Sequence, residues 1–351
     1  MHLAEKYVEM GKNYYPLWAT WEVTSRCNAK CDYCYLGKSK NAIEDIDTDL
    51  MFEIADKIHA SGSLFITITG GEPFIRKDIL SILEYIIHKD FFSIILFSNG
   101  SLVNEEHLHF LSDNRKYFQN IQLSVFSHIP EVNDAYFGIN GSLENTLHIG
   151  NKLLSIGIPV TLAFNLFDFN VKESGTTQRK FWDMGFSVRT AFYKLLLDQE
   201  HEQLLETNIT KDFYKAFLEN MDQSAIKKVQ LRLAENNRPI NQNDSFCNGV
   251  LTNIAIDSSG NILPCIAFRN LPLGSVLGNR TIHEILRSSS TLKKVRSIRR
   301  KDIKTCVHCK YLYECKFCLG MMHTRYNDLT KPLQQYCTYF KILENYQSPT
   351  I

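Results

Sequence analysis

Hydrophobic and polar positions switch between two periods along the first half of the chain. Residues 17–24 (Leu-Trp-Ala-Thr-Trp-Glu-Val-Thr) alternate apolar and polar and predict a short strand. Asp47 or Thr48 can then cap a helix with Met51, Ile54, Ala55 and Ile58 on one face, and Gly62 stops it before an apolar strand at 64–69. The switching continues: a helix near 78–88, a strand at 93–97, a helix near 104–112, a strand at 121–126, a helix near 142–156, a strand at 159–165, a helix near 176–184 and a strand near 186–193. Six strands alternating with helices predict a partial (β/α)6, TIM-like parallel barrel over residues 15–195.

Residues 196–236 are charged, helical in pattern and free of glycine and proline, so they are expected to form a bridge. A module over 237–351 begins near Arg238-Pro239. Its strands at 252–256 and 262–265, joined by Asp257-Ser258-Ser259-Gly260, predict a hairpin. The remainder is cysteine-rich with little room for a large apolar core, as expected of a small α+β module held together by metal.

With 39 Lys+Arg against 38 Asp+Glu over 351 residues, the net charge of +1 speaks against a nucleic-acid-coating protein. No run of about 18 apolar residues and no apolar signal segment is present, so a cytoplasmic chain without a membrane span is expected. The ten cysteines change the picture most, because free thiols in a cytosolic protein point to metal or redox chemistry. Three stand at Cys27, Cys31 and Cys34. After 212 residues without one, seven follow at 247, 265, 306, 309, 315, 318 and 337, so two separate sites are expected.

Functional groups of a parallel barrel gather where strands end and loops begin. Three features fall there: the first cysteine loop, Gly70-Gly71-Glu72-Pro73 after the second strand, and Ser98-Asn99-Gly100 after the third. Three thiolates on a tight loop can hold an open zinc or a four-iron cluster with one iron free. Cys306-x2-Cys309-x5-Cys315-x2-Cys318 alone fits a four-cysteine zinc site, which would suit a zinc-stabilised binding protein.

Cys27-x3-Cys31-x2-Cys34 with Tyr33 inside it, followed by Gly-Gly-Glu-Pro, resembles the radical S-adenosylmethionine (radical SAM) enzymes. The resemblance implies a 4Fe-4S cluster on Cys27, Cys31 and Cys34 that chelates SAM, and a 5′-deoxyadenosyl radical that abstracts hydrogen from a substrate. Gly70 and Gly71 would let backbone approach the methionine end of SAM, Glu72 would accept from its ammonium, and Pro73 would stiffen the turn. Asn99, Ser124 and Tyr33 are candidates for the nucleoside end.

The later cysteines, with Cys247-Asn-Gly, Gly260-Asn-Ile-Leu-Pro-Cys265 and Leu277-Gly-Asn, resemble the SPASM domain of such enzymes, including the anaerobic sulfatase-maturing enzymes. That pattern implies one auxiliary 4Fe-4S cluster on Cys306, Cys309, Cys315 and Cys337 and another on Cys247, Cys265 and Cys318, three clusters in all. The second set lacks a fourth cysteine, and Asp244 is a candidate for the vacancy. The two-residue gap between Cys315 and Cys318 departs from the usual three.

All ten cysteines are then ligands, and no thiol remains to return hydrogen to a substrate radical, which disfavours peptide epimerisation. An oxidative outcome is expected: a C–C, C–S or C–O crosslink in a ribosomally made peptide, or else dehydrogenation of a protein side chain or small molecule. Residues 124–147 resemble the fourth-strand region of peptide-modifying SPASM enzymes, with Asn133 where a His-Asp pair is usual and Phe137 where an arginine often stands. Only 26 residues precede Cys27, so a separate leader-binding protein is one expectation. The basic run Lys293 to Lys304 suits an acidic leader or a flavodoxin- or ferredoxin-type reductant, with a solvated helix face as the plainer reading. His323, Asp168, Glu173 and Tyr193 are acid–base candidates. His59, His88 and His148 are expected on helix surfaces, and Phe126, Phe164, Phe192 and Tyr193 in the barrel core.

Overall fold

A computed structural model describes residues 3–31, 34–37, 40–191, 211–235, 242–243, 245, 247, 249–315 and 318–347. Helix α1 (Leu3–Lys12) leads into β1 (Trp18–Glu22). Five further parallel strands follow: β2 (Phe65–Thr69), β3 (Ser93–Ser98), β4 (Phe118–Ser124), β5 (Val160–Asn165) and β6 (Ser187–Ala191). Between them lie α2 (Thr48–Ala60), α3 (Ile79–Ile87), α4 (Glu105–Asp113), α5 (Pro130–Phe137), α6 (Ser142–Ser155) and α7 (Ser174–Asp183). The caps follow the sequence: Asp47 accepts from the Leu50 amide at 3.0 Å at the start of α2, and Gly62 takes a left-handed turn after it. Helix α5 was not expected; Pro130 opens it and Gly138 closes it at φ +65°.

The six strands lie in chain order, the arrangement of a partial barrel. The hairpin of β7 (Asn253–Ile256) and β8 (Asn261–Leu263) does not stand apart as a module. β7 pairs parallel with β1, Trp18 to Trp21 opposite Asn253 to Ile256, and β9 (Gly274–Ser275) ends a nine-stranded sheet ordered β6-β5-β4-β3-β2-β1-β7-β8-β9. Ile254, Ile256, Ile262 and Val276 therefore share one core with Trp21, Ile66, Ile68 and Leu123. The C-terminal region also has an apolar cluster of its own, built on Val250, Phe268, Ile303, Leu312, Leu319 and Met322. The C-terminal region therefore adds strands to the barrel's sheet and keeps a small core of its own.

The charged segment is more than a bridge. Helices Lys211–Asn220 and Gln223–Ala234 bury Phe213, Tyr214, Phe217, Leu218 and Ile226 in the main core. Parallel register sets Trp18, Thr20 and Glu22 on the same face as Phe65, Thr67 and Thr69, and across the sheet as Asn120, Gln122 and Ser124. The opposite face carries Ala19, Trp21, Ile66, Ile68, Ile121 and Leu123 into the helix-covered core. The first face thus gives the barrel interior a mixed lining, with Thr67, Thr69, Asn120, Gln122 and Ser124 among Trp18, Phe65, Ile95 and Phe97.

Candidate functional site

The loop carrying the first three cysteines continues the pairing of β1 with β2. Beyond the last ladder pair, the Val23 amide donates to Thr69 O at 2.9 Å, Gly71 N to Thr24 O at 2.9 Å and Glu72 N to Arg26 O at 2.8 Å. The Gly-Gly-Glu segment is the template on which the cysteine loop is laid. This closeness explains both glycines. A Cβ on Gly70, at φ +141°, would lie 2.4 Å from Thr24 O, and one on Gly71 would lie 2.1 Å from Arg26 O.

A strap from residues 40–45 braces the loop from the other side. Asn41 Oδ1 accepts from the Cys27 amide at 2.8 Å, the Ser25 hydroxyl donates to Ile43 O at 3.1 Å, and Lys40 Nζ donates to Ala29 O. Arg76, with only 2% of its side chain exposed, donates to Val23 O and Ile46 O and pairs with Asp78 at 2.7 Å. At the far side, the Lys30 amide donates to Phe137 O at 2.7 Å, tying the loop to the end of α5.

Glu72 joins the second and third strand ends. Its buried carboxylate accepts from Ser98 Oγ at 2.8 Å, the Asn99 amide at 2.7 Å and the Phe74 amide at 3.2 Å. Burial nevertheless pushes its pKa up to about 7, outweighing those three donors. It also caps the short turn that Pro73 opens. The Asn99 amide group donates to Asn28 Oδ1 at 3.1 Å, while its oxygen accepts from the Ser101 amide and hydroxyl. Ser124 ends β4 half-buried on the barrel-interior face. Tyr33, Phe192, Tyr193 and Asp244 lie outside the described residues.

Against the loop stands an aromatic wall that sequence reasoning missed. Ala29, Phe126, Tyr136, Phe137 and Phe167 form a separate buried cluster with Cys27 and Cys31 packed on it. Phe126 belongs here, just past β4, and not to the barrel core where it was expected; Phe164 does lie in the main core. Phe167 and Phe169 stack at 5.4 Å, and Phe169 remains 45% exposed. Asn133, fully buried, accepts from the Phe126 amide at 2.8 Å and donates to Ser142 Oγ at 2.9 Å, so it fixes this wall to α6. The Asn at 133 and the Phe at 137 were the signals available in the sequence.

Burial raises the pKa of Cys27 and pushes that of Cys31 up to about 12. Desolvation favours the neutral thiol, so a metal centre held there would displace the protons of these cysteines. Cys306, Cys309, Cys315 and Cys337 surround one enclosed space walled by Leu312, Leu333 and Phe340. Burial pushes the pKa of Cys265 up to about 12, with Cys318 and Cys247 close enough to add to the rise, and burial raises that of Cys318, with Cys247 adding to it. Among the described residues no three His, Cys, Asp or Glu side chains are packed tightly enough to hold a single metal ion. Donor sets made of cysteine thiols alone are of the kind that iron–sulfur clusters take, and Cys306, Cys309, Cys315 and Cys337 line a single space.

The remaining candidates are dispersed. Glu173 accepts from Ser127 Oγ at 2.5 Å, and Asp168 sits in the turn after β5. His323 lies on the helix Leu319–Tyr326, its ring 6.1 Å from Phe268. His59, His88 and His148 are exposed. Within the basic run Lys293 and Lys294 face solvent, whereas Arg296 turns inward to the carbonyls of Gly11, Val250 and Leu251. No described helix is long and apolar enough to cross a membrane.

Residues 21–174 match the family model described as the radical SAM superfamily, and residues 247–310 match SPASM, an iron–sulfur cluster-binding domain. AlbA of Bacillus subtilis, an antilisterial bacteriocin subtilosin biosynthesis protein, is 35% identical over 172 residues, 48% of this chain and 38% of AlbA. The chain thus aligns with less than half the length of that relative. An AdoMet-dependent heme synthase of Methanosarcina barkeri is 23% identical over 92% of this chain and 97% of its own. The solved structure of anSMEcpe with bound AdoMet and Cp18Cys peptide superimposes with a TM-score of 0.71 at 16% identity, covering 93% and 95% of the two chains.

Proposed function

Since the chain carries a radical SAM domain followed by a SPASM iron–sulfur domain, we propose that it oxidatively modifies a ribosomally made peptide, closing a C–C, C–S or C–O crosslink. The observation that carries this reading is the cysteine loop built directly onto the Gly-Gly-Glu segment at the barrel's functional end. Cys27, Cys31 and Cys34 would hold the SAM-binding cluster, Cys306, Cys309, Cys315 and Cys337 one auxiliary cluster, and Cys247, Cys265 and Cys318 the other. When bound, these groups supply a 5′-deoxyadenosyl radical that takes a hydrogen atom from the substrate, and an acceptor for the second electron of the oxidation.

The chain's own residues hold and shield that chemistry. Glu72, Asn99 and Asn41 fix the loop, and Gly70 and Gly71 leave room for it. Tyr33, Pro73 and Ser124 complete the proposed SAM-contacting set. The wall of Phe126, Tyr136, Phe137 and Phe167 excludes water beside Cys27 and Cys31. Half-exposed Phe169 extends it outward as a seat for an apolar peptide side chain. With every cysteine assigned to a cluster, no thiol is left for epimerisation. A precursor peptide, a separate leader-binding protein and a flavodoxin- or ferredoxin-type reductant are the proposed partners, and the cytoplasm the proposed location.

A second reading, oxidation of a small molecule, is favoured by the heme-synthase alignment, which spans almost all of both chains. The first experiment is iron and acid-labile sulfide per chain after anaerobic reconstitution, followed by 5′-deoxyadenosine release against peptides encoded beside the gene. About twelve of each, three four-iron clusters, with peptide-dependent release supports the proposal. Release stimulated only by small molecules turns it to the second reading, and a colourless chain with stoichiometric zinc overturns both.

A further inference from the structure

One buried ion pair joins the two cysteine-bearing regions. Glu22, the last residue of β1, is 1% exposed, and Arg269 Nη1 donates to its Oε1. The Arg269 guanidinium lies 5.5 Å from the ring of Tyr35, the residue next to Cys34, and Tyr35 donates its hydroxyl hydrogen to Gly70 O at 3.0 Å. Arg269 thus touches the end of β1, the cysteine loop and, through Tyr35, the Gly-Gly-Glu segment.

Its other end is equally fixed. Arg269 follows the turn that Cys265 opens, closed by Phe268 N to Cys265 O at 3.0 Å. Thr324 Oγ1 donates to Ala267 O at 3.0 Å, and a Cβ on Gly320 would lie 2.7 Å from Ala267 Cβ. That turn is therefore locked to the helix that begins directly after Cys318. A rigid path runs from Cys318 and Cys265 through Arg269 to Tyr35 and Cys34. A charge pair this deeply buried is a weak source of stability, because an apolar pair of similar volume does as well. Its directional bonds are what an apolar pair lacks.

We propose that Arg269 is a positioning residue that couples the Cys265/Cys318 site to the Cys34 loop, so that order in one imposes order on the other. The role assigned to each cysteine set rests on the function proposed above; the mechanical coupling does not.

The test uses the full chain without iron. Alkylation rates of Cys34 and Cys265 under native conditions, read by mass spectrometry, are compared between the parent and the double substitution Glu22→Met with Arg269→Met, which leaves no lone buried charge. The expected result is a rise of about 5-fold or more at both cysteines, the lower end of usual coupling between sites, at an unchanged denaturation midpoint. A rise at Cys265 alone, or at neither, overturns the proposal. Arg269→Lys, which keeps the charge and loses the planar contact with Tyr35, is expected to expose Cys34 more than Cys265; equal protection of both at parent level also overturns it. None of these readouts needs iron or SAM, whereas the functional reading fails separately if the parent chain takes up no iron.

Discussion

Replacing Gly71 with alanine tests the central geometric claim, that the Gly-Gly-Glu segment carries the cysteine loop. The added Cβ would sit 2.1 Å from Arg26 O, 2.6 Å from Arg26 C and 3.0 Å from Cys27 Cβ. Ordinary contact begins near 3.4 Å, so the loop must retreat by more than 1 Å. Retreat breaks Gly71 N to Thr24 O and Glu72 N to Arg26 O, each contributing about 1 kcal/mol. Overpacking adds about 1–3 kcal/mol, so a loss of about 3–5 kcal/mol is expected. The control is Gly278→Ala, where a Cβ meets nothing within 4 Å and φ is ordinary. The assay is urea unfolding of the iron-free chain, together with iron content after reconstitution. Gly71→Ala should lower the midpoint and lose about four irons, one cluster, while Gly278→Ala keeps both. A Gly71→Ala chain within about 0.5 kcal/mol of the parent and fully loaded with iron would refute the reasoning.

Glu72 supplies a pH signature. The folded carboxyl keeps its proton to about pH 7 whereas the unfolded one releases it near 4.5, so stability of the iron-free chain should fall as pH rises between those values. Glu72→Gln should remove that slope, worth roughly 3 kcal/mol at about 1.4 kcal/mol per unit, as followed by denaturation at several pH values. Asn133→Ala strands the buried Phe126 amide and should cost about 2–3 kcal/mol by the same assay. Cys337→Ala should lower iron by about four per chain while SAM still perturbs the electron paramagnetic resonance signal of the reduced protein. Phe169→Ala, at a half-exposed position, should leave stability within about 0.5 kcal/mol and raise KM for an apolar peptide more than it lowers kcat, as steady-state kinetics would report.

The strands and most helices were legible because local signals set them: Asp47 caps, Gly62 stops, and alternation in β1 to β6 marks a face. Helix α5 escaped because its eight residues are too few for a clear period, although Pro130 and Gly138 mark its ends. The pairing of β1 with β7 was illegible, since nothing local records a partner more than 200 residues away. The cysteines and Gly-Gly-Glu-Pro stood out by spacing, but the glycines' physical reason, the carbonyls of Thr24 and Arg26, is tertiary. Glu22 looked like one more polar position in an alternating strand. Only the fold brings Arg269 to it.

The sheet order also sets a timetable for biosynthesis. β1 is among the first strands to leave the ribosome, yet the neighbour on one of its edges, β7, emerges roughly 230 residues later. At about 5–20 residues per second the wait lasts on the order of 10–50 s. During it one edge of β1 stays unpaired, a state that invites mispairing. Protection of that edge in the nascent chain follows from where a single strand sits in the sheet.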